Sequence, residues 1–130
     1  MNIDYKLLMD KAKEASKASY SPFSRFAVGA AVITPSGKIY QGCNVENSSF
    51  GLTICAERTA IFKAVSEGER EILAVAIYSP NSDSCYPCGA CRQVLYEFQG
   101  ENEEISVVTE NMGNLDINKL SYFLPCGFRI

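Results

Sequence analysis

Two short stretches hold the residue types that do chemistry, Cys55-Ala56-Glu57 and Pro87-Cys88-Gly89-Ala90-Cys91. Each lies where a turn-rich segment runs into a helical pattern, which places all three cysteines in the first turns of helices. A helix N-terminus carries partial positive charge and favours the thiolate of a group whose free pKa is about 8.5. Thiolate is the form that binds zinc. The i,i+3 spacing of Cys88 and Cys91 sets two sulfurs on one helical face, and Cys55 supplies a third from another helix. Three protein ligands leave the fourth tetrahedral position to water, the mark of a catalytic rather than a structural zinc site. Water there has a pKa of about 7 instead of about 15.7, so hydroxide forms at neutral pH without a strong base.

Glu57 follows Cys55 by two residues, a spacing that does not align side chains on a helix face. It is better placed to carry protons beside the metal than to be a fourth ligand. Taken alone, an acid in a helix's first turn is ordinary dipole complementation; beside Cys55, with two cysteines downstream, the catalytic role is the stronger reading. Three thiolates on a divalent ion also carry surplus negative charge. Arg58 and Arg92, each close after a proposed ligand, are expected to hydrogen-bond the sulfurs and offset it, with solvated helix charges as the plain alternative.

The elements that must position these groups follow from periodicity. Ile3 to Ala18 has apolar residues near a helical period, ended by the turn-rich Ser19 to Ser24. Phe26 to Thr34 and Lys38 to Cys43 read as a hairpin joined by Pro35-Ser36-Gly37. Cys55 to Ser66 reads as a helix, Ile72 to Tyr78 as a strand, Ser79 to Pro87 as a loop and Gly89 to Phe98 as a helix. Ile105 to Thr109 is a short strand, Met112 to Leu115 fits an edge strand, and Asp116 is expected to cap a short helix ending before Pro125. Strands alternating with helices predict an α/β fold: a three-layer α/β/α sandwich with a mixed sheet of about five strands, the first hairpin giving an antiparallel edge.

The chain has 130 residues, 47% apolar and 21% charged, a size and composition that predict one globular domain over residues 1–130. Its net charge of -3 and scattered Lys and Arg argue against a nucleic-acid partner. No apolar run approaches a membrane span, and charges interrupt Met1 to Lys13 where a signal peptide needs an apolar stretch, so a cytoplasmic protein is expected. There are six cysteines and no histidine. In a reducing compartment such thiols are free or bind metal. Cys43 is read as a small core residue, and Cys85 in a polar loop and Cys126 near the terminus as free thiols without a required role.

At these residues the sequence resembles the zinc deaminases of nucleosides and nucleobases, with Cys55 at the first ligand position. The all-cysteine set is similar to the small homotetrameric cytidine deaminases, and the likeness covers nearly the whole chain. It is carried by Phe26-Ala27-Val28-Gly29-Ala30-Ala31, Gly42-Cys43-Asn44-Val45-Glu46-Asn47, Cys55 through Ala60, Pro87 through Gln93, and Leu124-Pro125 through Phe128. Phe50 stands where that family often has tyrosine, and Cys126-Gly127 interrupts a usual run of small residues.

The resemblance implies one zinc ion per chain on Cys55, Cys88 and Cys91, with Glu57 moving protons. It implies that Asn44 and Glu46 hydrogen-bond the ribose, that Phe26 packs on the pyrimidine, that Ala56 also contacts substrate, and that Phe128 reaches a neighbouring subunit's site in a homotetramer. The reaction implied is attack of zinc-bound hydroxide on C4 of cytidine or deoxycytidine, releasing ammonia and leaving uridine or deoxyuridine for pyrimidine salvage. No organic cofactor is needed. Three rivals remain at this stage. A structural four-cysteine zinc knot leaves Glu57 unexplained. A deaminase of a related heterocycle such as blasticidin S shares the cysteines. A noncatalytic zinc module for single-stranded nucleic acid would need a basic groove that the sequence lacks.

Overall fold

The computed structural model describes residues 1–130. Helix α1 (Tyr5–Ser16) starts where the Asp4 carboxylate accepts the Leu7 N–H at 3.0 Å, and it buries Leu8, Met9, Ala12 and Ala15 along one face. Strand β1 (Gly29–Ile33) is buried at every position, which is why its sequence Gly-Ala-Ala-Val-Ile shows no alternation. Strand β2 (Ile39–Cys43) does alternate, being an edge strand with one covered face. The turn between them closes with Gly37 N–H donating to the Thr34 carbonyl at 2.9 Å, and Gly37 has φ +86, a left-handed conformation that favours glycine.

After a single 3-10 turn at Phe50–Leu52 come helix α2 (Ala56–Ser66), strand β3 (Ala74–Tyr78) and helix α3 (Gly89–Glu97). Strands β4 (Ser106–Asn111) and β5 (Asn114–Lys119) and the short helix α4 (Leu120–Phe123) complete the order. The sheet runs β2-β1-β3-β4-β5; β3 and β4 are parallel and every other pair is antiparallel. One face (Ala31, Ile33, Ala74, Ala76, Val108) packs on α1, and the other (Ala30, Val32, Val75, Ile77, Val107) packs against residues of α2 and α3 such as Ile61 and Leu95. The expected three-layer sandwich with a mixed five-stranded sheet is therefore present.

The expected cap at Asp116 is not. Met112 (φ 51) and Gly113 (φ 87) form a two-residue turn with positive φ at both central positions, the kind that matches the twist of a hairpin. That turn pairs Asn111 with Asn114 and draws the next residues into the ladder, so Asp116 lies within β5 opposite Thr109. Helix α4 begins only after Lys119.

The position of α2 depends on Gly42. A Cβ there would meet the Ala56 carbonyl oxygen at 2.6 Å and press still closer on the Ala60 amide, both backbone atoms that cannot swing away. The small residues Ala56 and Ala60, both fully buried, complete this close seat of helix on strand. Gly42→Ala is expected to destabilise the fold by about 1–3 kcal/mol through overpacking, measured as a lower midpoint of thermal or denaturant unfolding; an unchanged midpoint would show that α2 can slide outward freely.

Candidate active site

Helices α2 and α3 lie on the same face of the sheet and begin at the same end, so their N-termini meet. Cys55 and Cys88 are the N-cap residues, with extended backbone (φ -76, ψ 154 and φ -70, ψ 167), and neither side chain is spent on capping. Their sulfurs are 3.7 Å apart, and Cys88 lies 3.4 Å from Cys91, which sits in the first turn of α3. All three sulfurs fall within 4.8 Å of one another. Sulfurs each about 2.3 Å from a tetrahedral zinc ion are about 3.8 Å apart, so the cluster has the right size and donor chemistry for that metal. The chain brings together the sulfurs of Cys55, Cys88 and Cys91, the set of three singled out in the sequence.

The electrostatics suit the same purpose. A hydrogen bond from Cys91, with a second from Arg58, holds the Cys55 thiol down at about 5, so this sulfur is thiolate at neutral pH. Cys91, the donor in that bond, is correspondingly raised by it and by burial. Arg58 donates from Nη2 to the Cys55 sulfur at 3.4 Å, and this contact raises its own pKa further. Arg92 departs from expectation. Its guanidinium donates to the Pro87 carbonyl at 2.7 Å and the Phe123 carbonyl at 2.9 Å rather than to any sulfur. Five donors in a rigid fork are better satisfied by two fixed carbonyls than by a thiolate on the same helix.

Glu57, in the first turn of α2, is 3% exposed. Burial, reinforced by the negative charge at Cys55, pushes its carboxyl up to about 7. It lines a cavity of about 190 Å³ together with Cys55, Cys88, Ala56, Phe26 and Asn44. A carboxyl in such a place holds and releases a proton near neutrality.

The remaining expected residues are placed more variously. The Asn44 side chain ties the Phe26–Val28 backbone to the Ser19 side chain: its oxygen accepts the Val28 N–H at 3.0 Å and the Ser19 hydroxyl, and its nitrogen donates to the Phe26 carbonyl at 2.8 Å. It thus fixes Phe26 on the cavity wall, a duty beyond the ribose contact that the resemblance implies. Glu46 lies in an adjoining hollow of about 370 Å³ with Phe23, Ser24, Phe50 and Thr53; Thr53 lines both spaces. Its carboxylate accepts the Phe23 N–H at 2.9 Å, the Ser24 N–H at 3.1 Å and the Ser24 hydroxyl, which together hold its pKa below the usual carboxylate range. Phe128 is 71% exposed and does not line its own chain's cavity.

Sequence reasoning missed five wall residues, Val28, Thr53, Ile54, Cys85 and Tyr86. Cys85 does lie in a loop but is half-buried, and burial pushes its pKa up to about 11, so it presents a neutral thiol to the cavity. Its position three residues before Cys88 was the available signal.

A family model described as the cytidine and deoxycytidylate deaminase zinc-binding region matches residues 2–108. The chain is 42% identical over 127 residues to a cytidine deaminase of Sporosarcina psychrophila, covering 97% of this chain and 92% of that protein. It is 44% identical over 117 residues to a cytidine deaminase of Halalkalibacterium halodurans, covering 81% and 89% respectively. Among solved structures, that of cytidine deaminase from Burkholderia pseudomallei matches with a TM-score of 0.88 and 41% identity over 97% of this chain and 100% of that one.

Proposed function

The chain belongs to the cytidine and deoxycytidylate deaminase family, and from that premise we propose that it hydrolyses free cytidine and deoxycytidine to uridine and deoxyuridine with release of ammonia. Cys55, Cys88 and Cys91 would hold one zinc ion, which when bound lowers the pKa of water to about 7. The observation that carries the assignment of roles is the buried Glu57 carboxyl on the wall of the cavity that Cys55 and Cys88 border. Glu57 takes a proton from the water that attacks C4 and delivers it to N3 of the ring, then takes the proton left on the oxygen now bonded to C4 and passes it to the amino group, so that C4=O forms as the C–N bond breaks and ammonia leaves. Burial favours the protonated form of this carboxyl, which suits a group that must hold a proton between the two transfers. Phe26 packs on the pyrimidine and the Ala56 backbone meets the base.

Glu46 in the adjoining hollow accepts a ribose hydroxyl, with Asn44 holding the wall between. No Lys or Arg lines either space, so a phosphorylated substrate would meet Glu46 with no cation to balance it. Free nucleoside is therefore favoured over nucleotide. A homotetramer, in which the exposed Phe128 closes a neighbouring subunit's site, fits the number of apolar side chains left at the surface, Phe50, Leu52 and Tyr122 among them. No helix is long and apolar enough to cross a membrane. A single domain, cytoplasmic location and a place in pyrimidine salvage complete the reading.

The test joins two measurements on one sample. Zinc per chain should be close to one, and both nucleosides should lose their cytosine absorbance as ammonia appears. Zinc-loaded protein that leaves both untouched would overturn the assignment.

A further inference from the structure

We infer that Arg92 is a positioning residue for the metal site, acting through the backbone that delivers Cys88 rather than through sulfur; the inference rests on the reading of Cys88 as a zinc ligand. Cys88 is the most exposed of the three cysteines and stands at the end of Ser79 to Pro87, a stretch without regular structure. Cys91 is buried inside α3 and Cys55 follows Ile54, whose backbone pairs with Val45, whereas Cys88 depends on how the chain enters α3. The Pro87 carbonyl shares a peptide plane with the Cys88 amide, so whatever holds that oxygen sets the plane from which the Cys88 side chain departs.

Arg92 Nε holds it at 2.7 Å, while another nitrogen of the same guanidinium binds the Phe123 carbonyl at 2.9 Å. The guanidinium carbon also lies 5.4 Å from the centre of the Phe123 ring, which is itself 5.9 Å from the ring of Tyr86. The Arg92 amide closes the local turn onto the Cys88 carbonyl at 3.0 Å. One planar side chain therefore joins the peptide before a metal ligand to the end of α4, and Phe123 packs against the core under α2 and α3. Lysine, with a single ammonium, cannot span both carbonyls in this fixed fork.

The test is zinc transfer from the loaded protein to the chromogenic chelator 4-(2-pyridylazo)resorcinol, well below the melting temperature. Arg92→Gln should release zinc about tenfold faster or more, in the range found when partners of metal ligands are removed. Arg92→Lys should fall between, and it carries the test if the glutamine variant does not fold. Arg129→Gln is the control for general loosening of α3. Arg129 donates to the carbonyls of Tyr96, Glu97 and Gln99 at the far end of that helix, so its loss should lower the melting temperature and leave zinc release unchanged. Release from Arg92 variants at the wild-type rate, or equal acceleration in Arg129→Gln, would overturn the inference. A wild-type chain that takes up no zinc would instead overturn the metal-site reading on which it stands.

Discussion

Glu57→Gln yields a protein that keeps its zinc and loses turnover of cytidine by about a thousandfold, within the range for removing a positioned acid-base group. The two side chains have the same shape, so the cavity and the buried first turn of α2 persist. What disappears is the ability to hold a proton at one moment and release it at the next. Stability moves the other way. The folded-state carboxyl sits at about 7, above the model value of 4.5, so between those values the folded metal-free chain binds more protons than the unfolded one, and stability falls as pH rises through that window. An amide carries no such penalty. At pH 8 the metal-stripped glutamine variant should melt no lower than the metal-stripped parent. Turnover within a few-fold of the parent, with zinc in place, would remove Glu57 from the chemistry.

The second large effect is expected at Cys91. Cys91→Ala should bind far less than one zinc per chain and show no measurable turnover, because two thiolates and a charged arginine do not make a tight site for a divalent ion. Cys91 is fully buried and supplies the main hydrogen bond that ionises Cys55, so its loss weakens a second ligand as well as deleting one. The folded state also loses whatever stabilisation metal binding gives it, which should appear as a melting temperature that no longer rises with added zinc. Cys85→Ala is the matched control: a cysteine on the same cavity, outside the cluster of three sulfurs, whose removal should leave zinc content unchanged. Metal analysis of the two variants side by side decides. A full zinc complement in Cys91→Ala would mean that the donor set is wrong.

The sequence made the outline of this molecule legible wherever a local pattern was sufficient. Helix α1 showed its period, and β3 its apolar run. The i,i+3 cysteines announced a shared ion because both lie within one turn. Legibility failed where a residue's partner lies far along the chain. Arg92 was read with its neighbours, yet its guanidinium is satisfied by Phe123, 31 residues away. Asp116 has the chemistry of a helix cap but was captured by a strand pairing that the Met112-Gly113 turn dictates. Cys85 was set aside as a loop thiol because exposure cannot be read from a polar stretch, and the loop folds it inward. Asn44 illustrates the opposite limit: the resemblance drew attention to it for substrate, while two bonds to distant backbone and one to the Ser19 hydroxyl make it a structural brace too.

The seat of α2 on Gly42 makes the pocket unevenly mutable. Ala56 and Glu57 ride on a helix pressed against strand backbone, so that wall cannot retreat to admit a bulkier base without dragging Cys55 away from its partners. Across from it, Cys85 and Tyr86 belong to a stretch outside the sheet ladder and free of such a seat. Any drift or engineering toward larger pyrimidines is thereby channelled into the walls away from that helix, Cys85 and Tyr86 among them, leaving the reactive side of the cavity as it is.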